Sequence, residues 1–167
     1  MLERIWNGWR ASYVSSAGQA ADGATGSVFT QILNSGLDDT ETNIVHRGGH
    51  CFAILNAFPY GTGHVLVLPY REVGELEELT PDETDELWPM VTDTVRAIKR
   101  AYQPEGINVG VNLGRPAGGS VSEHLHVHVV PRWTGDANFM TAVANTRTLP
   151  EALVDTAAKI RAAWPGQ

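Results

Sequence analysis

Three histidines spaced two residues apart, His124, His126 and His128, alternate with Leu125 and Val127 and lead into Val129 and Val130. In an extended chain, side chains at i, i+2 and i+4 share a face. The spacing therefore predicts a strand over His124 to Val130 with a row of imidazoles on one side and aliphatic side chains on the other. With six histidines in 167 residues, chance produces such a triplet on the order of once in a hundred chains of this composition. Three readings stand at this point: a structural or surface row, a zinc site shared by histidines on one strand face, and a site that handles an anion. The segment just upstream favours the last. Gly114-Arg115-Pro116-Ala117-Gly118-Gly119-Ser120 is a glycine-rich turn whose backbone N–H groups can converge on an anion. Ser120 adds a hydroxyl and Asn112 a carboxamide. Alone, this is an ordinary turn; leading into three histidines, it reads as a phosphate cradle.

The elements that must position these residues follow from periodicity. Ile107 to Leu113 alternates as a strand, as does His124 to Val130. Upstream, Asn43 to Arg47 and Cys51 to Ala57 read as two strands of a hairpin turning at Gly48-Gly49, and His64 to Tyr70 as a third strand entered through Pro59 to Gly63. Thr80-Pro81-Asp82-Glu83 combines an N-cap hydroxyl, proline at the first helical position and a capping-box glutamate. The helix it opens carries Leu87, Trp88, Val91, Val95, Ile98 and Tyr102 on one apolar face and ends before Pro104.

Residues 1–14 read as an amphipathic helix on the spacing of Leu2, Ile5, Trp6, Trp9 and Tyr13, residues 15–26 as a flexible segment, Val28 to Leu33 as ambiguous, and residues 150–164 as a last helix. The sum is one α+β domain of 167 residues, with an antiparallel sheet of about five strands and one long helix between strands three and four.

The formal charge of −7 argues against general nucleic-acid binding, which needs a basic face, and leaves room for a small anionic ligand. Cys51 is the only cysteine, so no internal disulfide and no multi-cysteine metal site is expected. Glu3 and Arg4 interrupt the N-terminal apolar residues, which is not the pattern of a signal peptide, and nothing approaches the roughly 20 apolar residues of a membrane span. A soluble, cytoplasmic protein without a membrane partner is expected.

The run EHLHVHVVPRW resembles the motif of the histidine-triad (HIT) family, His-apolar-His-apolar-His followed by two apolar residues. CFAILNAFPYGTGHVLVLPY is similar to the N-terminal half of the same family, where an Asn or Asp precedes a proline-containing turn and a Gly-His pair. The resemblance covers residues 43–133. Within the family, INVGVNLGRPAGGSVSEHLHVHVVPRWTGDANF looks like the diadenosine tetraphosphate phosphorylase group of actinobacteria. The fragile-histidine and Hint branches carry Gly-Gln-Ser/Thr-Val before the triad, whereas this chain has Gly119-Ser120-Val121-Ser122-Glu123, one residue longer and without the glutamine. Trp133 is likewise more typical of the phosphorylases.

The resemblance implies that His126 is a nucleophile forming a nucleotidyl-histidine, that His128 hydrogen-bonds phosphate oxygens, and that His124 orients its neighbours and supports the leaving group. It implies phosphate-binding roles for Asn112, Gly119 and Ser120. For the nucleotide it implies a ribose contact at Asn56, with His64 and Trp133 near the site. Phe52, Leu55 and Phe58 could line an adenine pocket, although apolar strand residues are core by default, and Trp6, Trp9 and Trp164 read as packing or interface residues.

The expected activity is nucleotidyl transfer that cleaves diadenosine tetraphosphate with inorganic phosphate to ATP and ADP. No cofactor or metal is assigned, a divalent-cation requirement stays open, and a homodimer or higher homo-oligomer is implied by resemblance. A HIT hydrolase or phosphoramidase using water as acceptor is the alternative; a non-catalytic nucleotide- or metal-binding regulator is the third.

Overall fold

The computed structural model describes residues 3–4, 26–118, 121–136, 146–147 and 149–166. Five strands, β1 (Ile44–Arg47), β2 (Cys51–Leu55), β3 (Val65–Pro69), β4 (Gly106–Val111) and β5 (Val127–Arg132), form one sheet. Its spatial order is β1-β2-β3-β5-β4, and every neighbouring pair is antiparallel. The first three strands are a meander. The chain then crosses behind the sheet as a long helix, returns along the edge as β4, and slots β5 between β3 and β4.

The hairpin joining β1 and β2 depends on Gly48. Glu86 reaches across and accepts hydrogen bonds from Gly49 N (2.8 Å) and His50 N (2.5 Å). A Cβ on Gly48 would lie 1.7 Å from that carboxylate, so only glycine admits the approach.

Among the described residues four α-helices flank the sheet: α1 (Val28–Leu33), α2 (Asp39–Thr42), α3 (Pro81–Tyr102) and α4 (Leu153–Ala162). The capping box read from sequence is present in α3, with Thr80 accepting from Glu83 N (3.2 Å) and Glu83 accepting from Thr80 N (2.8 Å). The apolar stripe of α3 is rotated from the expected one. Leu87, Met90, Val91, Ala97 and Ile98 are buried, whereas Trp88 is 45% exposed. Counting three and four residues from Leu87 gives Met90 and Val91, which leaves Trp88 on the shoulder of the stripe.

The sheet has two differently covered faces. Against α3 and α4 lie Val45, Ala53, Leu55, Val65, Val67, Val127 and Val129. On the other face Ile44, Phe52, Ile54, Leu66 and Leu68 are sealed by Phe29 and its neighbours in α1. That cover stops at β3, and β4 remains largely exposed. Leu55 and Phe52 thus belong to opposite faces and to two cores, so they do not line one adenine pocket. Phe58 is 42% exposed.

Other expectations need correction or fall outside the described residues. The ambiguous piece Val28–Leu33 is helix α1, capped by Ser27. Of the expected N-terminal helix only Glu3 and Arg4 are described. They are extended and pair parallel with Thr146–Arg147, because a neighbouring backbone supplies the hydrogen bonds that a helix would make internally. The rest of that stretch, with Trp6 and Trp9, and residues 15–25 of the expected flexible segment lie outside the described residues. Trp164 is 3% exposed and stacks on His46 at 4.4 Å between ring centroids, which is a packing role. The Cys51 thiol is buried and its pKa is pushed up to about 12 by desolvation. Among the described residues no helix is long and apolar enough to cross a membrane.

Helix α3 backs the central strands, and its first turn is held by the capping box and by the ion pair of Glu83 with Arg71 (2.7 Å). Thr80→Ala should therefore cost about 1 kcal/mol, a fall of about 3 °C in Tm for a chain of this size. Glu83→Ala should cost more, since it also strands Arg71. Equal melting temperatures for Glu83→Ala and the wild type would remove the first turn of α3 as an anchor of the fold.

Candidate active site

The triad sits where β5 begins, and the strand is shorter than the sequence suggests. β5 starts at Val127, which pairs with Val67 on one side and Val111 on the other. Upstream of that point β4 has ended at Val111 and β3, although it continues to Pro69, no longer pairs with this segment; Leu125 N instead donates to Val73 O (2.6 Å). Only His128 is therefore in the ladder, while His124 and His126 lie in the extended lead-in. The alternation persists regardless. Leu125, Val127 and Val129 pack toward α3, and the rings of His124 and His126 turn to the opposite face, each 5.4 Å from the Phe29 ring. His126 and His128 stand edge to face at 4.9 Å.

Hydrogen bonds to groups of fixed polarity settle where the protons lie. The carbonyl of His124 can only accept, so the 2.8 Å contact is a donation from His126 Nδ1–H. In the neutral ring this leaves Nε2 as the unprotonated nitrogen. His124 Nε2 likewise donates to Pro69 O (2.9 Å), and its Nδ1 accepts from the Ser27 hydroxyl at 2.7 Å. A second chain begins at a backbone amide. Tyr60 N–H donates to His64 Nδ1 (3.0 Å), so the proton of neutral His64 is on Nε2, which donates to His128 Nδ1 at 2.9 Å. The proton of His128 is then on Nε2, 3.3 Å from Asn112 Nδ2; two donors cannot bond each other, so this pair forms a hydrogen bond only with the carboxamide turned to present Oδ1 as the acceptor. The site presents one lone pair, on His126, beside one N–H, on His128.

Burial keeps this arrangement neutral. His124, His126 and His128 all have pKa values lowered from 6.5, in each case chiefly by desolvation, with His128 brought down to about 4. They are 0%, 7% and 9% exposed. Desolvation disfavours the imidazolium, so all three rings are neutral at neutral pH, each with a single N–H.

Of the remaining residues read from sequence, Asn112 and His64 join the triad directly. Asn56 sits one step further out. Its Oδ1 accepts from Phe58 N (2.8 Å), and its Nδ2 lies 3.4 Å from His64 Nδ1, so it shapes the turn that carries Tyr60 and His64. Trp133 follows β5, meets Tyr102 edge to face at 6.5 Å and lines a cleft of about 870 Å³ that opens from His128. Gly118, in a left-handed turn with φ 100°, lies beside Asn112: a Cβ there would be 3.8 Å from Asn112 Nδ2. Gly118 thus lies against Asn112, the residue that faces His128. Gly119 and Ser120 themselves lie outside the described residues.

Sequence reasoning missed Ser27, Glu72 and Tyr60. Glu72 accepts from Ser27 N (2.7 Å) and Thr30 Oγ1 (2.6 Å), and those donors hold its pKa below the usual carboxylate value. The one local signal was Ser27 as an N-cap before Val28–Leu33; its reach to His124 spans 97 residues. Among the described residues no cluster of three His, Cys, Asp or Glu side chains could hold a metal ion, and both ring nitrogens of His124 already have partners.

Comparison with known proteins agrees with this geometry. The HIT-domain family model matches residues 38–135. The AP-4-A phosphorylase of Mycobacterium tuberculosis is 44% identical over 170 residues, covering 99% of this chain and 86% of that protein. The asymmetrical bis(5′-nucleosyl)-tetraphosphatase of Schizosaccharomyces pombe is 38% identical over 95 residues, 57% of this chain and 52% of that protein. The solved structure of a zinc-bound histidine triad protein from Mycobacterium smegmatis has a TM-score of 0.66 and 26% identity, covering 81% of this chain and 91% of that one. With the triad, the sheet that carries it and nearly full-length similarity in agreement, the chain belongs to the histidine-triad (HIT) family of nucleotide-processing enzymes.

Proposed function

We propose that the protein cleaves diadenosine tetraphosphate with inorganic phosphate, giving ATP and ADP, through an adenylyl group carried on His126. The observation that carries the covalent step is the hydrogen bond from His126 Nδ1 to the His124 carbonyl at 2.8 Å, which fixes the lone pair on Nε2. In the first step His126 Nε2 bonds to the α-phosphorus, the bridging P–O bond breaks, and ATP leaves. His128 Nε2–H donates to the non-bridging oxygens, where charge is handled in the transition state. In the second step a phosphate oxygen bonds to the same phosphorus, the N–P bond breaks, and ADP and free His126 result. Asn112 and the turn at Gly118, Gly119 and Ser120 are the proposed seat of the phosphates. Asn56, His64 and Trp133 are proposed to contact or support the nucleotide, and homo-oligomeric assembly belongs to the same reading.

Support for phosphate as acceptor comes from the AP-4-A phosphorylase relative and from the neutral carboxamide of Asn112 beside His128, a donor that suits an anion. The tetraphosphatase relative favours water instead, and product analysis decides. Labelled diadenosine tetraphosphate should be stable without phosphate and give ATP plus ADP with it. AMP plus ATP at a rate indifferent to phosphate would assign water.

The zinc-bound relative raises a metal-binding reading. In this chain a metal at the triad would have to take the Nε2 lone pair of His126, so stoichiometric zinc in the purified protein would count against the nucleophile.

His126→Ala should lower kcat by roughly 10³-fold or more, because covalent catalysis is lost with little packing, whereas His128→Ala should cost about 10²-fold. A tenth of wild-type activity remaining in His126→Ala would end the covalent mechanism.

The pH dependence has a definite sign. Attack needs neutral His126, whose pKa is lowered from 6.5, so kcat/KM for the dinucleotide, which reports the free enzyme, should stay level down to pH 6.5 and fall only below it. Protons bind the unfolded chain more tightly at His124, His126 and His128, so fold stability should also decline as pH drops below 6.5, with His128 contributing down to about 4. An acid limb centred above pH 7 would rule out buried His126 as the titrating nucleophile.

A further inference from the structure

Two clamps converge on His124, and both involve the segment that follows β3. Leu125 N–H donates to Val73 O at 2.6 Å. That N–H belongs to the same peptide unit as the His124 carbonyl, which accepts from His126 Nδ1 at 2.8 Å. The unit is planar, so Val73 holds one edge of the group on which the His126 ring leans. The two backbones run close together here: a Cβ on Gly74 would lie 3.0 Å from Ser122 O.

The second clamp grips the ring of His124, and its polarity can be read from the ends. Pro69 O can only accept, so His124 Nε2 carries the proton (2.9 Å) and Nδ1 of the neutral ring is an acceptor. Ser27 Oγ–H is therefore the donor at 2.7 Å. With its one proton spent there, the same oxygen accepts from Thr30 N at 3.2 Å. Glu72 Oε2 accepts from both Ser27 N (2.7 Å) and Thr30 Oγ1 (2.6 Å). Ser27 is 2% exposed, so water does not compete for its hydroxyl. Each link has one direction, from the carboxylate of Glu72 to the ring of His124. An imidazole whose Nδ1–H loses its acceptor is free to move the proton to Nε2, and the attacking lone pair is lost with it.

We propose that Ser27 and Glu72 are positioning residues for the nucleophile: Glu72 holds Ser27, Ser27 fixes His124, and the His124 carbonyl then keeps the proton of His126 on Nδ1. The inference rests on the reading of His126 as the attacking group. Neither side chain touches the reacting atoms; both act through His124.

The test uses Ser27→Ala, Glu72→Ala and Glu72→Gln with diadenosine tetraphosphate and phosphate. A misplaced reacting group costs rate more than affinity, so Ser27→Ala should lower kcat by about tenfold or more and change KM by about twofold or less. Glu72→Ala should lower kcat in the same way. In Glu72→Gln the amide oxygen can accept both hydrogen bonds of Oε2, so kcat should return to within about threefold of wild type. The tautomer is read without turnover, by nitrogen NMR of protein labelled in its histidine rings, the His126 signals being those lost in His126→Ala. His126 should be a single Nδ1–H tautomer in the wild type and a mixture in Ser27→Ala. Loss of the N-cap hydroxyl also loosens α1. Ile32→Ala weakens the packing of that helix and leaves these hydrogen bonds alone, so it should keep kcat within about twofold. If Ser27→Ala does not fold, the two Glu72 variants carry the test, because that side chain is only half-buried.

A Ser27→Ala enzyme with unchanged kcat, or with His126 still in one tautomer, would overturn the proposal. So would a loss in Ile32→Ala equal to that in Ser27→Ala, which would make the anchoring of α1 the cause. Glu72→Gln as slow as Glu72→Ala would replace the hydrogen-bonded brace by a charge effect, and a rise in KM at constant kcat would put Ser27 at the substrate; either result overturns the assignment. Failure of the covalent reading shows separately, as turnover surviving in His126→Ala while the tautomer mixture in Ser27→Ala still supports the brace.

Discussion

The hydrogen bond between His126 Nδ1 and the carbonyl of His124 is the constraint on which the site depends. An imidazole free in solution exchanges tautomers, and only one of them leaves Nε2 unprotonated on the accessible side. A carbonyl two residues back removes the choice, but only if that carbonyl is itself held still. His124 is fully buried, donating to Pro69 O and accepting from Ser27. Glu72 in turn grips the amide of Ser27 and the hydroxyl of Thr30. Helix α1, too short to be stable alone, thereby braces His124 and the carbonyl that His126 donates to, and covers half of a sheet face.

That division of the face explains how one sheet can supply both rigidity and access. Under α1 the residues of β1, β2 and β3 form a dry core. Beyond β3 the same face opens onto a cleft, with Gly110 and His128 paired at the border. The histidines stand where desolvation is strong enough to keep them neutral, yet next to space that a substrate can enter. A triad moved one strand further into the sealed half would be equally neutral and unreachable.

Much of this was legible in the sequence for reasons that are local. The histidine alternation, the capping box at Thr80 and Glu83, and the Gly48 turn all act over a few residues, and each was found where its pattern placed it. What escaped was long-range or depended on partners. Ser27 and His124 are 97 residues apart, and the alternating segment gave no sign that its first half would run past the end of β4, part from β3 and leave the ladder. Trp88 was misplaced because a wide helical stripe has shoulders, and burial on a shoulder is decided by what packs against it. Phe52 and Leu55 differ in face simply by strand alternation, which could have been applied to them as it was to the triad.

A site built from neutral groups has a consequence for catalysis under the adenylyl-transfer reading. When Nε2 of His126 bonds to phosphorus while Nδ1 keeps its proton, the ring becomes an imidazolium. The burial that lowers the pKa of His126 disfavours that cation as well, so the adenylyl-histidine is a high-energy species that expels the histidine readily. Two features limit the penalty. The His124 carbonyl dipole is aimed at the ring before reaction and interacts more strongly as positive charge develops. The anionic phosphate of the substrate becomes the direct neighbour of the cation. Stabilisation thus grows along the reaction coordinate, whereas a lysine or arginine at the same place would hold the polyanionic ground state tightly and oppose formation of a second positive charge. Under that reading, in a chain of net charge −7, polarised neutral donors around a dry nucleophile would bind the substrate without trapping it.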